Sequence, residues 1–416
     1  DSDWQAVVCG DGTSEALLLG LDRVAPTLPC YDTPEMVLEH VASSEKALAL
    51  LPWESIDFRV RTIPIGEHRL WREALSEYPY TLRWWLVGDP GDDLRRELCD
   101  GFACSVQEPV SLVAVGDIML ARYVGELIAK NSPTFPFENE ATRSILAGAD
   151  IAFGNLECPI SERGTRQDKG YEFRAAPAVV EGLSYAGLDV ISLANNHTGD
   201  YGDVALVDTL DALCSVGIVP VGAGDDLEEA LSVRSVLVKG MRVGFLAFNA
   251  IGPSWFAATE DSPGSAWLDP ETAVASVRAA AEETDLLFVS CHWGTEYTSC
   301  PTSFQRRMAQ ELVEAGADLV IGHHPHVLQA VEYFDSGFVA YSLGNFVFDQ
   351  FFDSDVRQGA ILYCLADWSG LKSVDLIPTY IWRAQPRVME PEEAAVVLDR
   401  IFEVTREIGG LPFGVR

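Results

Sequence analysis

A chain of 416 residues is too long for one ordinary core, so two domains are expected, and its 48% hydrophobic content is enough to fill them. Its formal charge of −34 excludes nucleic acid and anionic lipid as partners, because binding a phosphate backbone relies on Lys and Arg to displace counterions. No stretch of about eighteen uncharged apolar residues is present to span a membrane.

The chain opens Asp1-Ser2-Asp3-Trp4, with neither an initiator Met nor the basic and apolar regions of a signal peptide. A processed form is expected, extracytoplasmic and tethered to a membrane through a segment absent from this chain. Residues 1–108 read as a smaller N-terminal α/β domain of short segments rich in Leu, Trp and Pro, such as 47–53 and 80–87. The nine cysteines include no CxxC pair. Cys9 with Cys30, or Cys99 with Cys104, would bridge in an oxidising compartment; otherwise they are buried thiols, so cysteine usage leaves the compartment open. A break at residues 106–109 separates this domain from residues 109–416.

Beyond the break, apolar runs of strand length alternate with amphipathic helices. The runs are 112–115, 151–153, 190–193, 218–221, 235–238, 242–248, 286–290, 319–321 and 338–341. Helices are predicted over 204–214, 271–281 and 303–314, then a hairpin of 360–366 with 373–380, then a helix over 391–408. Uninterrupted apolar strands imply sheets covered on both faces, and strand–helix alternation implies an α/β layered domain.

The polar residues that follow these runs carry the chemistry. Strands end in Gly116-Asp117, Asn155-Leu156-Glu157, Asn195-Asn196-His197, His292-Trp293-Gly294, His323-His324-Pro325-His326 and Ser342-Leu343-Gly344-Asn345. Five of the seven histidines fall in these clusters, so the carboxyl edge of the sheets is where a site would assemble. Asp117 alone also fits a helix cap, and His324-Pro325-His326 alone also fits a polar loop. Six such clusters at one edge fit neither. Carboxylate, amide oxygen and imidazole together suit a divalent Mn, Fe or Zn ion, and the lack of thiolate argues against a structural zinc site.

The series Gly116-Asp117-Ile118-Met119-Leu120-Ala121-Arg122, Asn155-Leu156-Glu157, Ala194-Asn195-Asn196-His197, His292-Trp293-Gly294, residues 322–329 and Ser342-Leu343-Gly344-Asn345-Phe346 resembles the motif series of the CapA/PgsA family of poly-γ-glutamate capsule synthesis, within the calcineurin-like metallophosphoesterase superfamily. The resemblance covers roughly residues 109–385. It implies a two-sheet sandwich flanked by helices, with one or two metal ions at the strand ends. It also implies metal ligands Asp117, Glu157, Asn196, His292, His324 and His326, with His197 beside them as acid or phosphate-oxygen donor, and it leaves His323 as an extra residue. Asp117 then serves both the metal and the catalysis. Met119 stands where the wider superfamily has a histidine, and Asn155 where it has a bridging aspartate; Glu157 is taken to bridge instead. Arg122, Lys169, Arg174 and Asn345 are candidates to hold an anionic substrate. Stretches 50–53 and 80–85 resemble, at the level of fold, the degenerate binding-protein-like domains that precede some CapA domains.

Two functions follow. The first is a metal-dependent hydrolase or transferase in poly-γ-glutamate or envelope polymer metabolism, in which metal-activated water attacks a phosphoester or γ-glutamyl amide. The second is a non-catalytic, metal-stabilised polymer-binding component of capsule synthesis or export. The expected partners are an anionic polymer or phosphoester and an envelope-biosynthesis complex.

Overall fold

A computed structural model describes residues 5–9, 30–43, 47–49, 51, 53–57, 59, 108–334 and 337–410. The stretch 80–87 and the pair Cys99 and Cys104 lie outside the described residues, as do the side chains of Cys9 and Cys30. Cys158, Cys214, Cys291, Cys300 and Cys364 are free thiols. The chain divides into two compact units. One takes the residues up to Val110 together with Leu365–Ser373; the other takes Ser111–Cys364 and Val374–Gly414.

In the first unit, strands Gln5–Cys9, Cys30–Tyr31 and Ala47–Ala49 form a small parallel sheet with Gln5–Cys9 in the middle. Helix Pro34–Ser43 buries Val37 and Leu38, and Val37 packs with Tyr31 and Ala49.

The second unit is built on two sheets. Their strands, in chain order, are β1 (Val110–Ile118), β2 (Ile151–Leu156), β3 (Val190–Ser192), β4 (Val219–Val221), β5 (Arg234–Val238), β6 (Met241–Asn249), β7 (Leu286–His292), β8 (Leu319–His323), β9 (Val331–Phe334), β10 (Gly337–Ala340), β11 (Asn345–Val347), β12 (Gln358–Asp367), β13 (Gly370–Trp382) and β14 (Gln385–Val388). The first sheet runs β14-β13-β12-β1-β2-β3-β4, with β11 pairing alongside β1; the second runs β9-β10-β8-β7-β6-β5. β1 to β4 are mutually parallel, as are β6, β7, β8 and β10, so their carboxyl ends share an edge within each sheet.

The expected apolar runs become these strands because both faces are covered: every residue of β1, β2 and β7 is buried. The sheets meet face to face through Phe153 of β2 and Phe245 of β6, whose rings stack 6.0 Å apart, and Phe245 stacks in turn on Phe288 at 5.5 Å. Each such ring contributes roughly 1.5–3 kcal/mol by leaving water. Helix Pro270–Glu283 starts where Asp269 accepts the Thr272 N–H and Pro270 presets the first turn; Ala273, Val277 and Ala280, at helical spacing, face the core. Helix Ser303–Glu314 is opened by a capping box between Thr302 and Gln305. The result is the helix-flanked two-sheet α/β sandwich that the resemblance implies.

Candidate metal centre

Asp117 enters the site where β1 passes unusually close to the segment before β11. A Cβ on Gly116 would lie 1.9 Å from Gly344 O, and Gly344 itself sits at φ 65°, so both positions require glycine. The Asp117 carboxylate is fully buried. Its Oδ1 accepts from Asn155 Nδ2 at 2.9 Å and faces His323 Nδ1 at 3.1 Å; its Oδ2 accepts the His324 N–H at 3.2 Å and lies 3.3 Å from His326 Nδ1. Burial works against its charge, but the hydrogen bonds from His323 and His326 outweigh it and hold the carboxyl well below its ordinary value.

Glu157, one residue past β2, is also fully buried. Its Oε1 lies 3.4 Å from Asn155 Nδ2 and 3.7 Å from His292 Nε2, while its Oε2 has no hydrogen-bond partner among the described residues. Burial, then the neighbouring charge of Asp117, push this carboxyl well above its ordinary value.

The imidazoles close around this pair. His292 ends β7, and its Nε2 lies 2.9 Å from Asn196 Oδ1. Burial, then the charge of His324, keep it neutral far below its usual range. Within β8 a Cβ on Gly322 would lie 1.8 Å from Tyr341 O, and just after the strand His324 and His326 both take positive φ, 92° and 58°. Such backbone is costly for a non-glycine residue and recurs where a side chain must be aimed. It brings the His292 and His324 rings to 4.9 Å and the His324 and His326 rings to 5.9 Å. Burial, then the charge of His326, push His324 down to about 3.

Two sets of ligand atoms converge, each within 4.8 Å of one another: Asp117, Glu157 and His326, and Glu296, His324 and His326. Two adjacent buried carboxylates, one with an unpartnered oxygen, and the buried imidazoles of His292, His324 and His326 form a donor set that fits a divalent cation. The sequence alone does not reveal Glu296, an exposed residue on a loop.

His197 stands beside the centre on its own hydrogen-bond network. Its Nδ1 lies 2.8 Å from Asp200 Oδ2, which also accepts the Phe173 N–H at 2.7 Å, and its ring stacks on Phe173 at 4.0 Å. Lys169 Nζ lies 2.7 Å from Asp200 Oδ1 and also donates to Asn196 O. Burial pushes His197 down to about 4 despite Asp200. A cleft of about 420 Å³ adjoins this network, lined in part by Gly199, Tyr201, Trp255 and Phe256.

The fold thus gathers Asp117, Glu157, Asn196, His292, His324 and His326, with His197 at the rim. The four candidate substrate residues have separate fates. Arg122 pairs with Asp349 and lies 4.7 Å above the Phe173 ring. Lys169 serves the His197–Asp200 pair. Arg174 donates to Arg163 O at 3.0 Å and stacks on Tyr201, away from the carboxylates. Asn345 faces His326, its Oδ1 2.9 Å from Nδ1. Met119 is buried, and its Sδ accepts the Ala121 N–H at 3.2 Å. Sequence reasoning also passed over Asp200, although its place three residues after His197 in a turn was a usable signal, and it treated His323 as extra although its Nδ1 contacts Asp117.

Residues 111–350, more than half of the chain, match the family described as Bacterial capsule synthesis protein PGA_cap. The chain belongs to the PGA_cap family. It is 32% identical over 303 residues to the capsule biosynthesis protein CapA of Bacillus anthracis, covering 71% of this chain and 72% of that protein. It is 33% identical over 275 residues to the PGA biosynthesis protein CapA of Bacillus subtilis (strain 168), covering 65% of this chain and 72% of that protein. Among solved structures it is similar to a putative 5'-nucleotidase from Staphylococcus aureus, with a TM-score of 0.42 and 13% identity over 71% of this chain and 58% of that one. The PGA_cap match spans all six strand-end clusters, so the centre described here lies within the family's common region.

Proposed function

We propose that this chain acts in making or remodelling an anionic capsule polymer at the cell envelope, as a metal-dependent hydrolase or transferase cleaving a phosphoester or γ-glutamyl amide. The observation that carries this reading is the buried Asp117–Glu157 pair with its unpartnered Glu157 Oε2, ringed by His292, His324, His326 and Asn196. A divalent ion held by these residues would supply Lewis acidity and an activated water. Asn155 and His323 orient Asp117, and Asn345 orients His326. His197 donates its Nδ1–H to Asp200, which leaves Nε2 facing the reacting group. In the free protein Nε2 is unprotonated, because burial keeps His197 neutral. An anionic substrate raises its proton affinity, so Nε2 takes up a proton from solvent as the substrate enters and passes it to the leaving oxygen or nitrogen. Arg122, half-exposed above Phe173, is placed to steady an anionic group.

No helix among the described residues is long and apolar enough to cross a membrane. The test is Mn²⁺-supported turnover of bis(4-nitrophenyl) phosphate and of γ-glutamyl oligomers by purified protein. The parent is expected to turn over at least one of them, and His197→Ala to keep its metal and lose that turnover. Absence of turnover in a metal-loaded parent would leave the second reading, a metal-stabilised polymer-binding component. Met119 favours that reading, since its thioether is engaged with Ala121 where the wider superfamily supplies a ligand.

A further inference from the structure

Four of the nine exposed aromatic side chains among the described residues, Tyr297, Phe351, Phe352 and Trp382, fall in one chain of contacts that begins at the metal centre. Tyr297 lies 6.1 Å from the His326 ring and 5.3 Å from Phe352. Beyond the adjacent Phe351, the Arg357 guanidinium lies 5.7 Å from the Phe351 ring, 4.5 Å from Tyr380 and 5.9 Å from Trp382. Arg387 lies 5.6 Å from both Tyr380 and Trp382.

Strand alternation builds the far end of this track. In β13 and β14, Ile381 and Pro386 point inward and are buried; Tyr380 and Trp382 point the other way, and Tyr380 pairs in register with Arg387. This is an edge hairpin of the first sheet, where a face with only a structural role would be polar. Instead, Trp382 is 51% exposed and Phe352 69%.

The charges choose the occupant. The chain has 63 acidic and 29 basic residues, yet neither Arg357 nor Arg387 has a carboxylate partner among the described residues; Arg357 spends its hydrogens on Ile381 O, at 3.0 and 3.2 Å. Of the acids on the same segment, Asp349 is paired with Arg122 and Asp355 with Arg400, and Asp353 is exposed. We propose that this aromatic–arginine track is a binding groove for an extended polymer that carries carboxylates between short aliphatic stretches and is led by the track toward His326. Carboxylates pair with Arg357 and Arg387, and methylenes lie on the faces of Trp382 and Phe352. A neutral glycan would leave both arginines without a counter-charge.

The inference rests on the reading of the chain as acting on an anionic polymer. It is tested on the full chain by titrating labelled poly-γ-glutamate, with dextran as the neutral control, against the parent, Trp382→Ala and the double variant Arg357→Gln/Arg387→Gln. The parent should bind the polyacid and ignore dextran, with affinity that falls as salt rises. The double variant should bind at least about tenfold more weakly with a flatter salt dependence, and Trp382→Ala should lose several-fold with the salt dependence kept. Metal content and turnover of bis(4-nitrophenyl) phosphate should stay at parental levels in both. Polyacid affinity equal to the parent in both variants, equal binding of dextran, or a parent that ignores the polyacid would each overturn the groove. A metal-loaded, active parent that ignores the polyacid sinks the groove and spares the metal centre. A parent that binds through the groove without any metal-dependent turnover does the reverse.

Discussion

His326 Nδ1 lies 2.9 Å from Asn345 Oδ1, and this contact fixes which imidazole nitrogen is available to a cation. The Asn345 amide cannot be turned over, because its Nδ2 donates to Val356 O at 2.8 Å. Its oxygen therefore faces His326 and can only accept, so Nδ1 carries the hydrogen and Nε2 keeps the lone pair. Replacing the partner that sets a ligand's tautomer typically costs about 10–100-fold in metal affinity. Asn345→Leu is expected to weaken Mn²⁺ binding by that order while leaving the fold intact by circular dichroism. Calorimetry giving the parental affinity would remove Asn345 from the site's support.

The ligands themselves should behave more drastically. Asp117→Asn and His324→Ala are each expected to leave the purified protein with little divalent transition metal where the parent retains or takes up at least one ion. Elemental analysis after dialysis against Mn²⁺ decides it, and equal content in parent and variants would end the metal reading.

Asp200 should separate from the ligands in this assay. It holds His197 Nδ1 and Lys169 Nζ at 2.8 and 2.7 Å and lies outside the converging ligand sets. Asp200→Asn is expected to preserve metal content and to lower turnover by roughly 10²–10⁴, the range associated with losing a well-oriented proton donor. A variant that loses metal in proportion to activity would make Asp200 a support of the centre instead.

Much of this was legible because the signal was local. A buried strand reads as an apolar run, and the carboxyl end that reaches the site reads as Gly followed by Asp, Asn or His; β1, β2 and β8 and their clusters follow from that alone. The less legible features depend on distant segments. Gly116 needs its small size because Gly344, more than two hundred residues later, passes within contact distance. Asp200 matters through Lys169 and Phe173, which arrive from another loop. Arg174 and Lys169 sit five residues apart with the same charge, yet one turns to the Glu162–Arg163 backbone and the other to Asp200, a choice that tertiary packing makes. The short strand β14 gives no apolar run, because only Pro386 of its four residues is buried.

The last prediction uses a carboxyl outside the metal centre, where the sign of a pH effect can be read cleanly. Asp318 precedes β8, and its Oδ2 accepts the Leu287 N–H at 2.8 Å. No cation pairs with it among the described residues, and burial pushes it up to about 6, against the partial help of backbone hydrogen bonds. The folded protein therefore holds this proton more tightly than the unfolded chain, whose aspartates titrate near about 3.9. Stability from this group is complete below about pH 4, is lost as pH rises to about 6, and stays lost above it. Asp318→Asn keeps an oxygen acceptor for Leu287 and removes the charge. The variant is expected to be more stable than the parent at pH 7.5, by on the order of 2 kcal/mol, with the gap closing toward pH 4. Because the chain's large net charge acts on both proteins alike, the difference between their urea midpoints at each pH isolates Asp318. A difference that stays constant from pH 4 to pH 7.5 would mean that the carboxyl titrates as it does in the unfolded chain, and the account of its burial would be wrong.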